Sequence, residues 1–180
     1  MLRLPLTHAT AALLAACAIP ATTPPPFDQA SLPPTVQVPA GHKVAMETVG
    51  TGTISYECRA KPDMPGQHEW FFAGPDARLA DRAGRTVGRY YGPPATWESS
   101  DGSRLTATQV AVSPAAPGNI PLQLVKANPA TGMGAMSGIS YIQRVATRGG
   151  VAPSLPCAAG NLGARQLVQY QADYILYKPM

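Results

Sequence analysis

A chain of 180 residues with 13% charged side chains has room for one domain with a sizeable core. Its formal net charge of +4 is scattered, with no Lys/Arg run and no basic–aromatic interleaving, which excludes a nucleic-acid surface. With 17 glycines and 20 prolines, the chain turns often and leaves little length for long helices.

The opening MLRLPLTHATAALLAACAIP sets one arginine before an apolar stretch that ends at Leu14-Ala15-Ala16-Cys17. The stretch is too short to span a bilayer and fits a signal peptide. Leu-Ala-Ala-Cys also resembles the bacterial lipobox, in which the cysteine is lipidated and becomes the mature N-terminus. Plain secretion with cleavage after Ala18 is the alternative. On this reading residues 1–17 are the signal peptide, residues 18–34 a Pro-rich tether, and residues 35–180 a single β domain. The expected location is the cell envelope, as a lipoprotein anchored through Cys17, or outside the cell. Either cleavage leaves Cys58 and Cys157, and two cysteines in an oxidising compartment most simply form one disulfide. Closing so long a loop is worth up to roughly 4–5 kcal/mol in the chain-entropy account.

Period-two alternation marks the strands. Val36-Gln37-Val38 reads as a short opening strand. Lys43–Val49 and Thr53–Arg59 read as a hairpin joined by Gly50-Thr51-Gly52, with Ile54, Tyr56 and Cys58 facing inward. His68–Gly74 is the most aromatic strand, with Trp70 and Phe72 on one face, Phe71 on the other, and Trp70 in the core. Ala77–Ala80 and Thr86–Tyr91 flank the turn Asp81-Arg82-Ala83-Gly84. Gly92-Pro93-Pro94 interrupts the chain before Trp97, and Asp101-Gly102 marks a hairpin before Leu105–Val112. Ile120–Ala127 and Ile139–Ala146 follow, and Val168 to Leu176 alternates as a long closing strand. The expected fold is all-β: a sandwich or flattened barrel of about 8–10 short, mostly antiparallel strands.

The segments VPAGHKVAMETVGTGTISYECRA, EWFFAGPDARLADRAGRTVGRYYGPPATWESSDGS, GNIPLQLVKANPATGMGAMSGISYIQRVATRGGVAP and QYQADYILYK resemble, in order, the bacterial and fungal domain-of-unknown-function family numbered 3455. The resemblance covers roughly Val36 to Lys178. It implies a secreted or envelope domain and brings no catalytic residues with it.

Several constellations could carry chemistry. Tyr90, Tyr91 and Trp97, near Glu98 and Asp101, have the makings of a sugar-binding face, with flat rings for a pyranose and acceptors for its hydroxyls. The same residues would also suit a tryptophan that closes one end of the core. Glu47, Glu57 and Glu69 fall on neighbouring strands, and paired carboxylates can hydrolyse glycosides, although sheet surfaces carry such residues in any case. His42 and His68 could join Glu69 around a metal, but the short His–His spacings of metal sites are missing. Gly132 to Gly138 departs from a dinucleotide loop in its third glycine and has no βαβ context; a Ser-centred G-x-S-x-G is absent. No metal or cofactor is expected. The reading is a non-catalytic envelope module that recognises a glycan or an envelope protein and is held to a membrane by its lipid. A small secreted hydrolase with an unrecognised carboxylate site is the alternative.

Overall fold

The computed structural model describes residues 27–180; the signal peptide, Cys17 and residues 18–26 of the tether lie outside the described residues. Eight strands follow one another: β1 (His42–Ala60), β2 (His68–Ala80), β3 (Thr86–Tyr91), β4 (Thr96–Ser99), β5 (Arg104–Ser113), β6 (Leu122–Ala127), β7 (Tyr141–Gly149) and β8 (Arg165–Pro179). Each pairs antiparallel with the next, and β1 pairs with β8, so the sheet closes as a barrel. Closure leaves no sheet edge.

The strands are longer than the turn residues suggested. β1 runs for 19 residues straight through Gly50-Thr51-Gly52, where a hairpin was expected. These glycines face inward and provide space. A Cβ on Gly50 would stand 2.6 Å from the Tyr174 ring, and one on Gly52 would run into the backbone of Asp76 and Ala77. His68–Gly74 and Ala77–Ala80 are likewise one strand. Tyr56 pairs with Phe72 and Ser55 with Gly74, so Ala73 is an extra residue at a bulge.

Aromatic rings stack together inside the barrel. Tyr90 stacks on Trp97 with centroids 4.5 Å apart, and Tyr174 packs against both, at 4.9 and 5.8 Å. Ile54, Leu79, Leu105, Ile142 and Leu176 fill the space around them. Eight strands enclose an interior wide enough for side chains or one small ligand, and here side chains take most of it.

A second apolar cluster lies outside the barrel. Phe27, Leu32, Val36 and Val38 pack over Leu124 of β6, Val145 of β7 and Ile175 and Tyr177 of β8. Residues 27–38 are therefore a strap across the outer face, and 27–34 belong to the folded unit where a tether was expected. The strand expected at Val36–Val38 is not formed: Pro34–Val36 makes a 3₁₀ turn, its proline suiting the first turn of a helix, and the first strand begins at His42. Under the strap Gln143 is fully buried. Its amide donates to the Val36 carbonyl (2.7 Å) and to Gln29 Oε1 (3.0 Å), and accepts from the Tyr177 hydroxyl (2.8 Å). Those bonds offset the cost of burying an amide.

Cys58 and Cys157 form the expected disulfide, with Cα atoms 5.4 Å apart. It ties the long β7–β8 connection to the end of β1. Trp70 takes part in the same attachment: its indole N–H donates to the Leu155 carbonyl at 2.7 Å. The ring is only partly buried, a correction to its expected place in the core.

Candidate functional site

The two ends of the barrel are built differently. At one end the β6–β7 loop folds back as a plug, with Met136 only 1% exposed among the core side chains. Asp101, in the β4–β5 turn, holds that loop. Its carboxylate accepts from the Ser103 hydroxyl (2.6 Å), the Ser103 N–H (2.9 Å) and the Ala135 N–H (2.8 Å). The Ser103 hydroxyl oxygen in turn accepts from the Met136 N–H at 3.1 Å. These bonds, the Ser103 hydroxyl foremost, pull the Asp101 carboxyl down to about 2. Gly134 sits against the same carboxylate, which a Cβ would strike. The glycine-rich run Gly132–Gly138 is thus explained by close packing in a plug.

The opposite end is open. A cavity of about 290 Å³ is lined there by Ile54 and Tyr56 of β1, Phe72 of β2, Gln109 of β5, Ile120 and Pro121 before β6, Gln123 of β6 and Arg144 of β7. The strand period explains the polar members. Gln123 lies two residues from inward Val125, and Arg144 two residues from inward Ile142, so both point into the barrel. Gln123 donates to Gln109 Oε1 at 2.6 Å. The Tyr56 hydroxyl donates to the Gly150 carbonyl at 2.7 Å, and its ring meets Phe72 edge-on at 6.1 Å. Arg144 Nε and Nη2 both donate to the Pro121 carbonyl, at 3.1 and 3.0 Å. The ion pairs among the described residues engage Arg59, Arg82, Arg85 and Arg165, and none engages Arg144. Burial raises the phenols of Tyr56, Tyr90, Tyr170 and Tyr174, and in each case the Arg144 charge works against that rise. The guanidinium thus lies within electrostatic reach of a tyrosine floor, in which the Tyr170 and Tyr174 hydroxyls are 3.2 Å apart.

The residues expected to form an aromatic platform are divided between the two faces of the sheet. Tyr90 and Trp97 are 4% and 2% exposed, inside the barrel. Tyr91, the next residue on a strand, points outward; its hydroxyl donates to Glu98 Oε2 at 2.6 Å and Arg89 stacks over its ring at 4.7 Å. No exposed face unites Tyr90, Tyr91 and Trp97, and Asp101 is the staple of the plugged end.

The three carboxylates do not converge on the mouth: Glu57 and Glu69 lie a diagonal step apart across β1 and β2, on the face away from inward Tyr56. Glu47 is bound by Arg82, which also holds Asp173, and it accepts the Phe27 N–H. Glu57 is bound by Arg59 and Arg165, and Glu69 stands across from Arg59 in the β1–β2 register. Glu47 and Glu57 are ten residues apart on one strand, on the order of 30 Å at 3.3 Å per residue. A glycosidase needs its two carboxyl groups within about 5–9.5 Å, which excludes Glu47 as a partner of Glu57. His42 pairs with Pro179 at the plugged end and His68 with Ala60 at the open end. Among the described residues no three His, Cys, Asp or Glu side chains come together as a metal site. A larger outer groove of about 390 Å³ runs beside Thr53, Ser55, Gly74 and Pro93; its arginines, Arg59 and Arg165, are already committed to Glu57.

Together these features define a small up-and-down β-barrel shaped as a cup, plugged at one end and open over polar groups at the other. The chain belongs to the family described as Protein of unknown function (DUF3455), whose model matches residues 39–178. No curated protein and no solved structure matches it.

Proposed function

We propose that the domain is an exported binding module of the cell envelope that takes a small ligand into the open end of its barrel and performs no chemistry on it. The observation that carries this reading is the contrast between the ends: one is packed by Met136, while at the other Tyr56, Gln109, Gln123 and Arg144 converge on a cavity. Such concave sites, apolar with a few placed polar groups, are where small molecules bind. Export is supported by the Cys58–Cys157 disulfide, a bond of oxidising compartments, and by the signal-like opening of the sequence. In this reading Cys17 carries a lipid anchor, and the residues between it and the strap form the spacer. Among the described residues no helix is long and apolar enough to cross a membrane.

The test is a ligand-observed NMR screen of small anionic, cationic and neutral amphiphiles against the wild type and against Gln123→Trp, which fills the mouth. The expected result is at least one binder that the filled variant loses while keeping its circular dichroism spectrum and Tm. A screen in which no compound distinguishes the two proteins would defeat the reading.

A further inference from the structure

Arg144 carries the mouth further than its shape alone. A guanidinium has five N–H donors in a planar fork. Nε and Nη2 spend one each on the Pro121 carbonyl, along the side edge of the fork. That leaves the end edge, Nη1 with the second Nη2 hydrogen, free of any partner among the described residues. An end-on guanidinium edge matches the two oxygens of a carboxylate. Among the described residues no carboxylate forms an ion pair with Arg144; the ion pairs engage other arginines. The Pro121 carbonyl braces the fork, so less side-chain freedom is lost when an acid binds.

The remaining lining is apolar. Phe72 leaves 46% of its surface exposed at the cavity's edge, and Ile54 and Ile120 form the wall. Val110 and Val112, towards the same end of β5, are 54% and 47% exposed. A cavity of about 290 Å³ holds roughly ten heavy atoms at ~30 Å³ each. Resting on the reading of the mouth as a ligand seat, we infer that the ligand is a small amphipathic acid, its anionic group paired end-on with Arg144 and its apolar body lying along Phe72, Ile54 and Ile120. Gln109 and Gln123 complete the polar side of the seat.

Octanoate, 1-octanol and octylammonium share one hydrocarbon chain and differ in charge. Each is titrated into the ¹⁵N-labelled wild-type domain, with the Arg144 Nε–H and the Gln109 and Gln123 amide side-chain signals as readouts. Octanoate is expected to shift all three, with octanol at least tenfold weaker and octylammonium silent. Arg144→Gln should weaken octanoate at least tenfold, and Arg144→Lys should recover only part of the loss, because it restores charge without the fork. The wild-type comparison needs no variant, so loss of the Pro121 brace cannot obscure it. Equal binding of octanol, or preference for octylammonium, would overturn the acid while leaving the ligand seat standing. Silence of all three would overturn the inference, and the seat itself falls only if the wider screen is silent too.

Discussion

Asp101 has the charge of a ligand-binding carboxylate and the bonding of a staple. Its oxygens are occupied by Ser103 and Ala135, and its carboxyl lies at about 2 against an ordinary value near 3.9. A folded-state value below the unfolded one stabilises the fold above about pH 4, and the gain is lost as pH falls towards 2. Asp101→Asn should therefore lower Tm at pH 7, and the gap from the wild type should shrink steadily between pH 4 and 2. Melting curves at stepped pH check this; a gap that stays constant would show that the charge is not what holds the loop.

At the scale of the strand, Gly52 makes the sharper prediction. Gly52→Val should destabilise by about 1–3 kcal/mol, the usual cost of overpacking, because its Cβ meets Asp76 and Ala77 backbone. Thr51→Val, one residue away and exposed on the outer face, should stay within about 0.5 kcal/mol. Urea denaturation of both separates them, and equal midpoints would mean that β1 is not in contact there. The same glycines show where the sequence could and could not be read. Alternation revealed β3, β8, the inward face of Ile54, Tyr56 and Cys58, and the turns at Asp81–Gly84 and Asp101–Gly102. Gly-Thr-Gly spells both a turn and a close approach between strands, and only the Tyr174 ring and the β2 backbone decide between them. Trp97 beside carboxylates looks the same whether it faces solvent or core, although the outward Tyr91 next to inward Tyr90 already forbade a single shared surface. The mouth left a fainter trace: Gln123 and Arg144 are polar residues in the inward phase of apolar strands, a break in pattern that marks a lined opening once the barrel is known to close.

Over the whole molecule, burial in one interior links several tyrosines. It raises Tyr56, Tyr90, Tyr170 and Tyr174, and outside the barrel it lifts Tyr177 to about 12. Groups raised in the fold stabilise it fully below their unfolded value near 10, and that stability drains away as pH climbs past 10 towards 12. Phenolate absorbance should accordingly lag behind that of free tyrosine and then rise in a cooperative step together with loss of the circular dichroism signal. A smooth titration centred near 10 with the spectrum of the fold intact would contradict it. The pairing of β1 with β8, from His42 against Pro179 to Glu57 against Arg165, also fixes an order of events. Of the eight strands, β8 is the last to leave a ribosome. Until Arg165–Pro179 emerges, β1 has no partner on one side and the strap lacks the Ile175 and Tyr177 it rests on. The longest-range closure, the entropically costly step in building a sheet, is held back until the last strand of the barrel has been made, so no shorter stretch of the domain has a closed native state to reach.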